Sequence, residues 1–166
     1  MTLVELEKRV QTLEDIEEIK NMHREYIFFL MARQFEKMVD CFTEDAVFDI
    51  VTFSIAKGKP TRELREGKKE IGEFLTKTMA SWIRESEGEI PKGGHFLVQP
   101  VITIEGNKAK GHWLLDRMKE DVKPSGSSWI FLPARYDCEY IKKAGKWKFS
   151  KVKLTHPWPD KPSASS

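Results

Sequence analysis

The sequence holds few groups suited to covalent or metal chemistry. Its two cysteines, Cys41 and Cys138, stand far apart. No CxxC pair or Cys/His cluster is present, which argues against zinc and against any metal cofactor. Reduced, buried thiols in a cytoplasmic protein are the expectation. No run of about 18 apolar residues occurs, so no segment is expected to span a membrane. The opening residues, MTLVELEKRVQTLED, are too charged for a signal peptide. There is no internal repeat and no massed charge. The 28 basic and 26 acidic residues are interleaved and leave a net charge of +2. That balance makes no electrostatic case for a nucleic-acid partner. The most basic stretch, KPTRELREGKK at 59–69, reads as a solvated loop.

What is present suits one soluble globular domain. The chain has 166 residues, 40% apolar and 33% charged, enough to bury a real core. Residues 2–33 read as helix. Leu3, Leu6, Val10 and Leu13 recur at three and four, as one helical face requires, and Ile16, Ile19, Met22, His23, Tyr26 and Ile27 continue the stripe. From Tyr26 the segment YIFFLM is apolar all round. The first half is therefore expected on a surface or against a partner subunit, and the second half in a core. A short helix QFEKMVDCF follows, then a strand in TEDAVFDIVTF with both faces apolar. Residues 54–66 read as a polar loop, GKKEIGEFLTKTMASWI as a third helix and RESEGEIPKGG as a second loop.

From His95 onward the pattern is β. A Gly-Asn turn joins two strands in FLVQPVITIEGNKAKGHWLLDRMKE, and Ala144-Gly145 centres a further hairpin. Helices followed by a meander of antiparallel strands mean α+β. A curved sheet wrapped around three helices leaves a conical hollow, the kind of place where small apolar ligands bind. The domain is expected over 1–158, with 1–14 as a helical extension and 159–166 as a flexible tail.

Three segments resemble a known family. LEDIEEIKNMHREYIFFLMARQFEKMVDCFTEDAVFD has a helix ending in Tyr, an Arg-containing bend, an aromatic, a second helix and F-x-x-D-A-x-x-D opening a strand. GGHFLVQPVITIEGNKAKGHW and ARYDCEYIKKAGKWKFSKVKL resemble the family's later strands, in order. The chain resembles SnoaL-like members of the nuclear transport factor 2-like superfamily. That implies a cystatin-like cone-shaped antiparallel sheet packed on helices. This fold hosts dehydratases, isomerases, cyclases and plain binders, so it does not decide a reaction.

Within the family the layout is similar to bile-acid 7α-dehydratases. Their Tyr falls on Tyr26, their strand-opening His on His95, and their strand Asp on Asp116. Their helix Asp falls on Met31, a departure, because a thioether can neither take a proton nor orient an imidazole. The resemblance implies a cofactor-free dehydratase acting on a steroid- or polyketide-like ring substrate in an oligomer, a dimer or trimer. His95 would be the base, with an ordinary pKa near neutrality. Tyr26 would be the donor, and Asp116 would fix the imidazole tautomer. Met31, Phe53, Trp82, Trp113, Arg135 and Tyr136 are the candidate lining residues.

Each candidate has a plainer reading. His95 after two glycines suits an exposed loop, and Tyr26 suits a core with a satisfied hydroxyl. Arg135 and Asp137 suit a structural ion pair. Strand alternation sets a condition on Asp116. His112, Leu114, Asp116 and Met118 share one face, and Ala109, Gly111, Trp113 and Leu115 the other. If the Trp113 face is inward, Asp116 points out. The remaining readings are an isomerase or cyclase using the same residues, and a binding protein that kept the pocket without the chemistry.

Overall fold

The computed structural model describes residues 1–54, 59–79, 93–123 and 126–156. Helix α1 (Leu3–Met31) is followed by α2 (Phe35–Asp40), strands β1 (Phe42–Ser54) and β2 (Lys59–Glu66), and helix α3 (Lys68–Glu73). A π-helical turn, Phe74–Met79, continues α3. Four long strands follow: β3 (Gly93–Glu105), β4 (Lys108–Lys123), β5 (Gly126–Lys143) and β6 (Lys146–His156). They form one open sheet in the order β2-β1-β6-β5-β4-β3.

The sheet is mixed. All neighbours pair antiparallel except β1 and β6, which run parallel. The wholly antiparallel sheet expected from the sequence is corrected on this point. Residues 59–66 are likewise a strand. Thr61, Glu63 and Arg65 are partly buried in alternation with exposed Arg62, Leu64 and Glu66. A charged outer edge is how sheets avoid pairing with other chains, and that charge makes β2 resemble a loop in the sequence.

Helix α1 starts with a reciprocal cap. Thr2 Oγ1 accepts from the Glu5 amide at 3.2 Å, and the Thr2 amide donates to Glu5 Oε2 at 2.7 Å. Residues 1–14 stay exposed, Leu3 and Leu13 among them. Beyond them Asp15, Ile19, His23, Tyr26 and Ile27 are buried at three- and four-residue spacing. Asp15 pins this face to the sheet, accepting from Lys142 Nζ at 2.6 Å and Trp147 Nε1 at 3.0 Å. Burial pushes its carboxyl up, but these two donors outweigh it and hold the group below its usual range.

The face of the sheet turned toward α1 is set by strand alternation. It carries Phe48 and Ile50 from β1, Val152 from β6, Ala134, Tyr136, Cys138 and Tyr140 from β5, and Trp113 and Leu115 from β4, all buried. In β3 a bulge at Gln99-Pro100 sets two residues against Trp113. Gln99 takes φ 51°, and the extra residue keeps Ile102 and Ile104 inward alongside His95 and Leu97. Pro100 is tolerated because β3 is an edge strand.

Candidate functional site

The interior between α1 and the sheet is divided in two. The deep part is filled by rings. His23 is 0% exposed, with Trp113, Phe149 and Tyr136 centred 4.5, 5.0 and 5.2 Å away. Tyr26 packs edge-on against Phe149 and Phe42 at 5.2 and 5.9 Å. One polar chain threads these rings. Trp113 Nε1 donates to the Tyr140 hydroxyl at 2.9 Å, and that hydroxyl lies 3.1 Å from His23 Nδ1. His23 Nε2 is buried without a hydrogen-bond partner among the described residues. Burial holds the His23 imidazole down to about 3, so the ring is neutral. Burial also pushes the Tyr26 phenol well up, with the neighbouring Tyr136 adding to the effect. Both phenols are therefore firmly protonated.

The outer part of the same face is polar. His95 opens β3 and pairs in register with Arg117 of β4. Arg117 follows Trp113 and Leu115 on their face, although much of its side chain reaches solvent. His156 ends β6 opposite Thr52 of β1, and the Thr52 hydroxyl bonds Thr61 of β2 at 2.9 Å. Burial holds His95 down to about 4, helped by the charge of Arg117 and by His156. His156 is lowered too, by burial and then by Arg117, and burial lowers Arg117. These three side chains thus share one field.

Met31, the last residue of α1, reaches this group. Its Sδ lies 3.4 Å from His95 Nδ1. The residue standing where the dehydratase resemblance places an acid therefore does sit against the histidine, as a thioether. No hydrogen bond joins Tyr26 to His95. Tyr26 lies five residues before Met31, about 7.5 Å of helix rise, and its ring packs against those of His23, Phe42 and Phe149.

Several expected positions are corrected. Asp116 is exposed on the outer face, because Trp113 and Leu115 are the buried pair, so it cannot orient His95. Arg135 is also on the outer face, donating to Asp137 Oδ2 through Nε at 2.9 Å and Nη2 at 2.7 Å. Asp137 in turn meets His112. Asp49, an acid outside the expected set, is held by Arg62 on the face opposite Phe48 and Ile50, at 2.7 and 3.0 Å. Trp113 and Tyr136 are buried ring-box members. The Phe53 side chain and all of Trp82 lie outside the described residues.

Sequence reasoning passed over Arg117 as a candidate. The signal was available: it is the next member of the alternating series Ala109, Gly111, Trp113, Leu115. A separate groove of about 470 Å³ lies at the far end of the strands, bordered by Thr103, Glu105, Lys108, Lys110 and Glu139. It holds none of the candidates. Among the described residues no group of three His, Cys, Asp or Glu is placed to hold a metal, and no helix is long and apolar enough to cross a membrane.

Comparison with known proteins places this arrangement. An NTF2-like protein with a cystatin-like fold from Novosphingobium aromaticivorans superposes with TM-score 0.70 at 16% identity, covering 96% of this chain and 93% of that one. A candidate scytalone dehydratase from the same organism gives TM-score 0.61 at 15% identity, with 93% and 97% covered. The β subunit of a candidate aromatic-ring-hydroxylating dioxygenase, also from that organism, gives 0.64 at 13%, with 87% and 90% covered. At these identities the likeness is one of fold. No curated protein matches the chain. Residues 11–153 match the SnoaL-like domain, so the chain belongs to the SnoaL-like domain family of the NTF2-like fold.

Proposed function

We propose that the protein is a cofactor-independent acid–base enzyme, a dehydratase acting on a hydrophobic ring-containing substrate. His95 is the base. The observation that carries this reading is a neutral imidazole on the inner face, facing Arg117 and held at Met31. A neutral ring can accept a proton from carbon next to a carbonyl or similar group. Tyr26, kept protonated by burial, is the donor on the deep side. Tyr26 is 2% exposed and packed on Phe42 and Phe149, so it acts only on a substrate ring that opens this packing from the mouth. Isomerisation would use the same two groups, with proton return in place of water loss. The candidate scytalone dehydratase among the structural neighbours is consistent with the lyase version.

The test is His95→Ala. Turnover of a dehydration substrate should vanish, while affinity changes by less than about tenfold, roughly 1.4 kcal/mol. Undiminished turnover would remove His95 from the mechanism. A second reading, a binding protein of the same pocket without chemistry, is favoured by one observation: Met31 offers His95 no proton acceptor. Tight ligand binding with no turnover in wild type under any condition would select it.

A further inference from the structure

At the mouth of the inner face, His95 of β3 and Arg117 of β4 stand in register, and His156 of β6 lies on the same face across the intervening β5, within reach of the charge of Arg117. No carboxylate among the described residues pairs with Arg117. Glu63, on the inner face of β2 at the opposite edge of the sheet, is bound to Arg65 at 2.7 Å. His156 Nε2 is buried with no hydrogen-bond partner among the described residues. A buried polar atom without a partner calls for one, and Arg117, whose charge reaches His156 while its side chain stays open to solvent, is free to receive an anion. Both demands are met by one group that accepts hydrogen bonds and carries negative charge. Leu97 and Leu115, one step inward on this face, are apolar. The complementary ligand is therefore amphiphilic.

We propose that Arg117 and His156 form the anchor for a carboxylate on a ring-containing substrate, with the ring directed inward past His95. The proposal rests on the reading of this mouth as the substrate site. It adds a substrate class, aromatic or alicyclic acids, and a specificity-determining residue, Arg117. An anion seated there offsets the part of the suppression of His95 that comes from the charge of Arg117, while burial, the larger cause, remains. The acid group of the substrate would then strengthen the base that acts on the ring. Without the anion, His95 is a weak base.

The experiment uses naphthalene-2-carboxylate and naphthalene-2-carboxamide as probes, titrated calorimetrically into the full chain. The two have the same ring and nearly the same shape. Wild type should bind the carboxylate about tenfold or more tightly than the amide. Arg117→Met should erase that preference while leaving amide affinity within about twofold, and Arg117→Lys should keep part of it. His156→Phe should weaken the preference with Arg117 intact. Equal binding of the two probes, no binding of either, or a preference that survives Arg117→Met would overturn the proposal. Its failure is separable from that of the acid–base reading. An inactive protein with intact carboxylate preference loses the enzyme and keeps the anchor. An active one, sensitive to His95→Ala but indifferent to Arg117, loses the anchor and keeps the enzyme.

Discussion

His23 gives the sharpest test of the packed interior. The side chain is 0% exposed, and burial holds it down to about 3. In an unfolded chain it would titrate near about 6.5. Below that value the unfolded chain takes up a proton that the folded chain refuses. The stability carried by the neutral ring is thus complete above the unfolded value and is lost as pH falls through 6.5 toward 3. Between about pH 7 and pH 4.5 this one residue should cost roughly 2–3 kcal/mol of stability. A domain of ordinary stability holds about 5–15 kcal/mol, so the effect is large enough to measure.

The perturbation is His23→Phe, which keeps a ring in the box and removes the titration. It forgoes the contact to Tyr140, whose hydroxyl still accepts from Trp113. It also removes the orphaned Nε2, so stability near neutral pH should change by only about 1 kcal/mol. Urea unfolding of both proteins at the two pH values supplies the comparison. His95, His156 and every carboxylate titrate in both proteins and cancel in the difference. Wild type should lose roughly 2–3 kcal/mol more than the variant on acidification. Equal losses would mean that His23 is not held neutral in a closed ring box, and the division of the interior into a sealed depth and a polar mouth would fall with it.

Two further outcomes follow from the same packing. Gly111→Ala should destabilise by about 1–3 kcal/mol in denaturant melts, because a Cβ there would lie 2.9 Å from Tyr140 Cε2 and 3.2 Å from Trp113 Nε1, on rings with no room to move. A neutral change would show that the Tyr140–Trp113 pair is loosely held. Met31→Asp should set a carboxylate where Sδ now lies 3.4 Å from His95 Nδ1 and raise the imidazole from about 4 toward or above its ordinary value. NMR titration of the His95 ring reads this directly, and a midpoint unmoved from the acid range would contradict the contact.

The parts of the fold that were legible in the sequence are those fixed by local periodicity. Ile19, His23, Tyr26 and Ile27 lie on the buried face of α1 as their spacing required. The turns at Gly106-Asn107 and Ala144-Gly145 close the two hairpins, with Gly106, Ala144 and Gly145 in the left-handed region. Pairings between distant segments were not legible. Nothing in β1 or β6 alone announces that they run parallel, and β2 hides its alternation under Arg62, Glu63, Arg65 and Glu66. The site was half-legible for the same reason. Alternation sorted β4 into two faces but could not choose between them. That choice depends on which residues fit under α1, and Trp113, packed 4.5 Å from His23, makes it. Asp116 is thereby turned out and Arg117 turned in.

That exchange alters what chemistry the mouth can do. With acids at Met31 and Asp116, a histidine at the start of β3 would carry its own activating carboxylates, and its basicity would not depend on the ligand. Here, among the described residues, the groups acting on His95 are a thioether, a guanidinium and a second imidazole, each neutral or cationic. Such surroundings favour the unprotonated ring and weaken it as a base at the same time, since both effects come from the cost of placing positive charge there. A negative charge brought by the substrate offsets the cationic part of that cost without undoing the packing. On the proposed carboxylate anchor, an acidic ring substrate meets a stronger base than a neutral one does, and Met31 weighs less against catalysis for acids than for neutral rings.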